Sequence, residues 1–191
     1  MTDDAVRRIG LLADVHDHVW HLARALPWLD AHTDTLVVLG DLVSPFVLGL
    51  LGRGYGGPIH VVFGNNDGDR HRLTATAAGL AHVSIHGEVI RHAWGGRRVV
   101  GQHFPEIADA VDGRAADLVA FGHDHRARAS RRDGAWFVNP GTLMGYDPAA
   151  AQDVPASWAV YDTQAHEVAF WRLEGDAGVP WRPAGEHEPT A

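Results

Sequence analysis

The alternation of apolar and polar positions divides the first two-thirds of the chain into strand-like and helix-like segments in turn. Arg8 to Ala13 (Arg-Ile-Gly-Leu-Leu-Ala) is an apolar run that reads as a buried strand. Val19, Leu22, Ala23, Leu26 and Leu29 then recur at helical spacing and share one face. Leu36 to Leu39 predicts a second strand, ended by Gly40-Asp41. Pro45 to Leu51 predicts a short apolar helix, closed by the glycine-rich run 52–57. Ile59 to Phe63 predicts a third strand, ended by Gly64-Asn65-Asn66-Asp67, with a helix following around Arg70 to Ala78. This β-α-β-α-β order implies parallel strands joined by right-handed crossovers.

The second half has a different rhythm. Val83 to His92 and Arg97 to Gln102 read as two strands joined through Gly95-Gly96, a hairpin signal. Pro105 to Val111 reads as a short helix and Leu118 to Phe121 as another buried strand. Ala127 to Arg131 and Ala135 to Val138 flank Asp133-Gly134, again a hairpin, and Trp158 to Tyr161 and Val168 to Leu173 are late strands. From Glu174 onward the chain is rich in Gly, Pro and Glu, which predicts a loose tail over 174–191. The expectation is one α/β domain over 1–173 with two mixed sheets, parallel early and more antiparallel late.

Composition narrows the function without naming it. A chain of 191 residues with 46% apolar content can bury one substantial core. Its apolar runs fall well short of the ~18 residues that span a bilayer. The start, Met1-Thr2-Asp3-Asp4, lacks the basic and apolar regions of a signal peptide, so a cytoplasmic location away from membranes is expected. There are no cysteines, which excludes disulfides and zinc-thiolate sites. A net charge of -8 argues against general nucleic-acid binding. It leaves a phosphate substrate open, because bound metal reverses the local field. Fourteen histidines against 16 Lys plus Arg direct attention to where the imidazoles sit.

They sit, in part, at strand ends. Asp14 and His16 follow the first predicted strand, Asp41 the second and Asn65 the third. His103 follows the hairpin strand, and His123 and His125 follow Leu118 to Phe121. In open α/β sheets, ligands bind outside the carboxyl ends of strands, so these side chains can converge in one crevice. Carboxylate, imidazole and amide oxygen together suit Mn, Fe, Co, Ni or Zn. Asp-x-His and His-x-His place alternate side chains on one side of an extended segment, so each pair can serve adjacent metals. Seven donors exceed the needs of one tetrahedral ion, and Asp41 could bridge two ions ~3.5–4 Å apart. Each motif alone has a plainer reading as a turn or a surface histidine. Five of them in order at successive strand ends are harder to dismiss. The remaining histidines read as solvated or structural. Trp20, Trp28, Trp94 and Trp136 read as core, although such rings can also stack on a ligand.

Asp-x-His, Gly-Asp, Gly-Asn-x-Asp, a later His and Gly-His-x-His, in that order, resemble the calcineurin-like metallophosphoesterase superfamily. Short length and the turn Asn139-Pro140-Gly141-Thr142 are similar to its small, single-domain prokaryotic phosphodiesterase branch, which is related to the retromer scaffold subunit. The resemblance implies a four-layer αββα sandwich with two divalent ions per chain, manganese foremost. One ion would fall to Asp14, His16 and His125, the other to Asn65, His103 and His123, with Asp41 bridging. It implies a phosphoesterase, a diesterase before a monoesterase, in which metal-activated hydroxide attacks phosphorus in line with the leaving oxygen. It further implies a small phosphoester substrate and assembly as a dimer or tetramer. The alternative is a non-catalytic scaffold on the same fold, but all seven positions hold competent ligands.

Two departures qualify the resemblance. Asn66 stands where many members carry a histidine acid; it can donate a hydrogen bond in the transition state but not a proton. Turnover should therefore favour good leaving groups, such as aryl phosphodiesters. Asp67 completes the Gly-Asn-x-Asp motif from behind the ligands, and His18 is a candidate acid from the first loop. In Gln102-His103-Phe104-Pro105 the Phe and Pro replace the Gly and His of the usual motif, leaving His103 as the one ligand there.

Overall fold

The computed structural model describes residues 3–184. Its strands are β1 (Arg8–Leu12), β2 (Thr35–Leu39), β3 (Ile59–Val62), β4 (Val83–Ile85), β5 (Val89–Trp94), β6 (Arg97–Gln102), β7 (Leu118–Ala120), β8 (Arg128–Arg132), β9 (Ala135–Asn139), β10 (Tyr146–Asp147), β11 (Gln152–Asp153), β12 (Ser157–Asp162), β13 (Glu167–Glu174) and β14 (Ala177–Trp181). Four α-helices, α1 (Val19–His32), α2 (Pro45–Gly54), α3 (Arg70–Ala78) and α4 (Pro105–Asp109), complete the regular structure besides two single 3-10 turns. None is long and apolar enough to cross a membrane.

The strands form two large mixed sheets. The first has the order β14-β13-β12-β1-β2-β3-β4 and the second β5-β6-β7-β9-β8. Within the first, β1 to β4 run parallel; within the second, β6, β7 and β9 do. The apolar strands are buried on both faces because successive side chains point to opposite layers. Leu12, Leu36 and Val38 turn outward to meet α1 and α2 through Leu22, Leu26, Leu48 and Leu51. Leu11, Val37 and Leu39 turn inward to meet Ile90, Val99 and Leu118 of the second sheet. A third cluster, with Val119, Phe137 and Ala108, closes the far side under α4. The result is the expected sandwich of two mixed sheets flanked by helices.

Four expectations need correction. The predicted strand from Val83 to His92 is two strands, β4 beside β3 and β5 in the second sheet, with His86, Gly87 and Glu88 carrying the chain across. On α1 the buried small residue is Ala25, not Ala23, which lies about 100° around the helix from Leu22 and is left in solvent. Trp20 is 69% exposed rather than buried, since it opens the first helical turn away from the sheet. The expected loose tail from Glu174 contains β14, which pairs antiparallel with Phe170 to Glu174 of β13. Residues 185–191 of that tail lie outside the described residues.

Candidate metal centre

The carboxyl ends of β1, β2 and β3 in one sheet and of β6 and β7 in the other meet at one edge of the sandwich. The loops leaving them are stitched together. The backbone N–H of Asp14 donates to the Gly40 carbonyl at 3.2 Å, that of His16 to Asp41 at 3.0 Å, and that of Gly122 to His103 at 2.9 Å. The His123 N–H donates to Asp14 Oδ2 at 2.9 Å.

Backbone strain concentrates here. Asp14, His16, Asp41, His123 and His125 all have positive φ, at 53°, 44°, 56°, 78° and 61°. L-residues reach this left-handed region at a steric penalty, and such conformations persist where surrounding bonds over-determine them. Asp67 supplies much of that constraint. Its Oδ2 accepts from the Asp41 N–H at 3.0 Å and the Gly64 N–H at 2.7 Å, and its Oδ1 from Val43 N–H at 2.8 Å. Gly40 and Gly64 allow the close approach: a Cβ on Gly64 would lie 2.1 Å from Asp41 Oδ1, and Gly40, at φ +90°, abuts Gly64 and His103. The glycines of the Gly-Asp and Gly-Asn motifs are there because the two loops touch.

Five of the seven candidate side chains come together in two overlapping groups. The donor atoms of Asp14, His16 and His125 lie within 4.8 Å of one another, as do those of Asp14, Asp41 and His103. Asp41 Oδ2 is 3.5 Å from His16 Nε2 and 3.4 Å from His103 Nε2, so it stands between the two groups. Asn65 Oδ1 is 3.0 Å from His103 Nε2. The His123 ring packs edge-on to His103 at a centroid distance of 5.1 Å and falls outside both three-residue groups.

The donor chemistry fits divalent cations. His125 Nδ1 faces the Tyr146 carbonyl at 2.5 Å and His103 Nδ1 the Leu39 carbonyl at 2.7 Å. A carbonyl only accepts, so each Nδ1 carries a proton and each ring presents Nε2 inward, as a lone pair whenever the ring is neutral. His16 Nε2 and His125 Nε2 then lie 3.1 Å apart, an arrangement that calls for a cation or a shared proton. Asp14 Oδ1 is fully buried with no hydrogen-bond partner and points at the same place, 3.6 Å from His125 Nε2. An orphaned buried carboxylate oxygen is costly unless a positive group completes it.

The ionisation equilibria express the same imbalance. Burial pushes the Asp14 carboxyl well above its ordinary range, and neighbouring Asp41 adds to the shift. Burial would also raise Asp41, but the hydrogen bond and charge of His103, with two hydrogen bonds from Asn66, hold it below the carboxylate range. Burial depresses His16. In His103 burial is outweighed by Asp41 and Asp14, which raise the imidazole.

The other candidate residues are placed differently. Asn66 donates from its backbone and from Nδ2 to the two oxygens of Asp41, each at 2.8 Å, so one amide N–H is committed to holding that carboxylate. His18 caps α1, its Nδ1 accepting from the His21 N–H, and its ring stacks on His21 at 3.7 Å. The described contacts of its ring are with His21 and Trp20, not with the candidate ligands.

Several supports were not assigned from sequence. Thr142 Oγ1 donates to the Asp14 carbonyl at 2.8 Å, and Asn139 Nδ2 donates to the Gly122 carbonyl and to Asp124 Oδ1. The Asn-Pro-Gly-Thr turn thus clamps two ligand loops at once. Asp17 accepts from both the N–H and the hydroxyl of Ser44, tying the first loop to the start of α2. The turn was visible as a motif; Asp17 gave no signal beyond lying next to His16.

Comparisons with known proteins agree with this geometry. A model of the calcineurin-like phosphoesterase superfamily domain matches residues 8–166. Phosphodiesterase MJ0936 of Methanocaldococcus jannaschii is 27% identical over 143 residues, covering 73% of this chain and 86% of that protein. Among solved structures, an archaeal phosphodiesterase superposes with a TM-score of 0.78 at 24% identity, over 87% of this chain and 99% of its own. Vacuolar protein sorting 29 from Cryptosporidium parvum gives 0.66 at 15% identity, over 92% and 96%. Yfce, a phosphoesterase from E. coli, gives 0.61 at 19%, over 84% and 96%. These likenesses confirm the fold, and the family match covers most of the chain and its ligand-bearing strand ends: the protein belongs to the calcineurin-like phosphoesterase superfamily, hydrolases of phosphoric esters.

Proposed function

We propose that the protein is a phosphodiesterase working with two divalent ions, manganese foremost. Asp14, His16 and His125 would hold one ion and Asn65, His103 and His123 the other, with Asp41 shared. The observation that carries this reading is the buried Asp14 Oδ1, without a hydrogen-bond partner, facing the inward-turned Nε2 atoms of His16 and His125, with a second carboxylate, Asp41, 3.4–3.5 Å from histidines of both groups. Ions in such a site lower the pKa of water, polarise phosphoryl oxygens and neutralise the leaving oxygen.

The chain's own residues do the rest. Asp67 and Asn66 fix Asp41 from behind and from the side. The Tyr146 and Leu39 carbonyls fix two imidazole orientations. Asn66 retains one amide N–H that can meet a phosphoryl oxygen, but it has no proton to give the departing alcohol. A diester is favoured over a monoester because the 27%-identical archaeal relative is a phosphodiesterase.

The test is hydrolysis of bis(4-nitrophenyl) phosphate by the manganese-supplemented protein and by Asp41→Ala. Turnover by the first, lost by roughly a thousandfold or more in the second, is expected from removing a shared ligand. Absence of turnover with any divalent ion would leave the scaffold alternative in its place.

A further inference from the structure

Two clefts open beside the ligand cluster. One, of about 390 Å³, is lined by His123, Arg126, Asp147 and Pro148 among others. The other, of about 310 Å³, is lined by His125, Arg126 and Asp147 and walled by Val154, Pro155 and Trp181. Arg126 and Asp147 line both, so the clefts adjoin across this pair. Trp181 comes from β14, and Asp147 from the small β10–β11 hairpin.

The Arg126 side chain is 65% exposed and its Nε reaches Asp147 Oδ2 only at 3.4 Å. A pair so long and so wet contributes little. Asp147 is already occupied, its Oδ1 accepting the N–H groups of Ala149 and Ala150. Arg126 is therefore a cation near the ligand cluster, in an otherwise acidic protein, with little holding it in its present place. Beyond it the cleft wall turns apolar.

Resting on the phosphodiesterase reading, we infer that this cleft receives the non-leaving arm of the substrate: a diester whose second substituent is an aromatic ring or short apolar group. A diester has two arms, and only one departs in line. The other must lie along the protein beside the phosphate, and His125 is both a candidate ligand and part of the cleft lining. A cavity near 300 Å³ is at the small end of ligand sites, enough for one ring. Arg126 is positioned to meet the phosphate's negative charge where the arm leaves it.

The test compares bis(4-nitrophenyl) phosphate with methyl 4-nitrophenyl phosphate, which share charge and leaving group and differ only in the second arm. The wild-type kcat/KM is expected to be about tenfold higher for the aryl arm. Trp181→Ala, and Ala150→Trp, which fills the cleft from an exposed turn, should lower that ratio several-fold from its wild-type value. Calorimetric titration with diphenylphosphinate against dimethylphosphinate reads the same preference without turnover. Equal ratios in wild type and both variants, or no difference between the two phosphinates in wild type, would overturn the inference and leave the phosphodiesterase reading standing. Hydrolysis of neither ester would overturn both.

Discussion

At the residue scale, the centre is held by groups that touch no substrate. Asp67 accepts three backbone N–H groups from the loops after β2 and β3. Asp67→Asn removes an acceptor and turns an amide N–H₂ toward those donors. Metal affinity should fall by about 10–100-fold with the fold retained, as measured by titration with Mn²⁺ and circular dichroism. An unchanged affinity would mean that Asp41 needs no such support. The lack of an acid at Asn66 has a kinetic signature: a dialkyl phosphodiester should react at least about a hundredfold more slowly than an aryl one, the share general acid catalysis usually supplies. Equal rates would point to another proton donor. The candidate ligand types and their order were legible in the sequence, because Gly-Asp, Gly-Asn and Gly-His-x-His each interrupt an apolar run. The left-handed backbone at Asp14, His16, Asp41, His123 and His125 was not. No local residue preference requires it; contacts between loops far apart in sequence impose it.

At the element scale, the two sheets are joined by more than apolar packing. His60 on β3 meets His86 at 2.9 Å, and its ring lies 5.8 Å from His92 and 4.8 Å from Trp94 on β5. His92 in turn pairs with Asp3. Burial lowers the His60 pKa from 6.5 to about 4, with His86 and His92 adding to the shift. Between those values the unfolded chain binds more protons than the folded one. Stability is therefore full above about pH 6.5 and declines as pH falls toward 4. Urea midpoints should follow that slope, and His60→Gln should flatten it; an identical slope would assign the loss to other groups. This junction is also where sequence reading failed. The apolar pattern runs on through 83–92, and nothing local marks the change of sheet beyond His86-Gly87-Glu88. The hairpins at Gly95-Gly96 and Asp133-Gly134 were legible because turn chemistry is local.

At the scale of the whole molecule, the chain from Glu174 through Trp181 is part of the sandwich. Its Gly and Pro content hid β14, whose partner strand is adjacent but whose packing is distant: Gly178 sits against Trp28 of α1 and Trp158 of β12. Deleting residues from Asp176 onward should lower Tm by several degrees, about 1–3 kcal/mol for a chain of this size. A loose tail would leave Tm unchanged. The centre itself depends on both sheets, since His103 and His123 leave one and Asp14, Asp41 and Asn65 the other. Its metal content is what the proposed function turns on. Elemental analysis of the purified, manganese-supplemented protein measures it directly: close to two divalent ions per chain are expected, falling to one or fewer in Asp41→Ala. Binding of no divalent ion at stoichiometric level by the folded wild-type protein would contradict it.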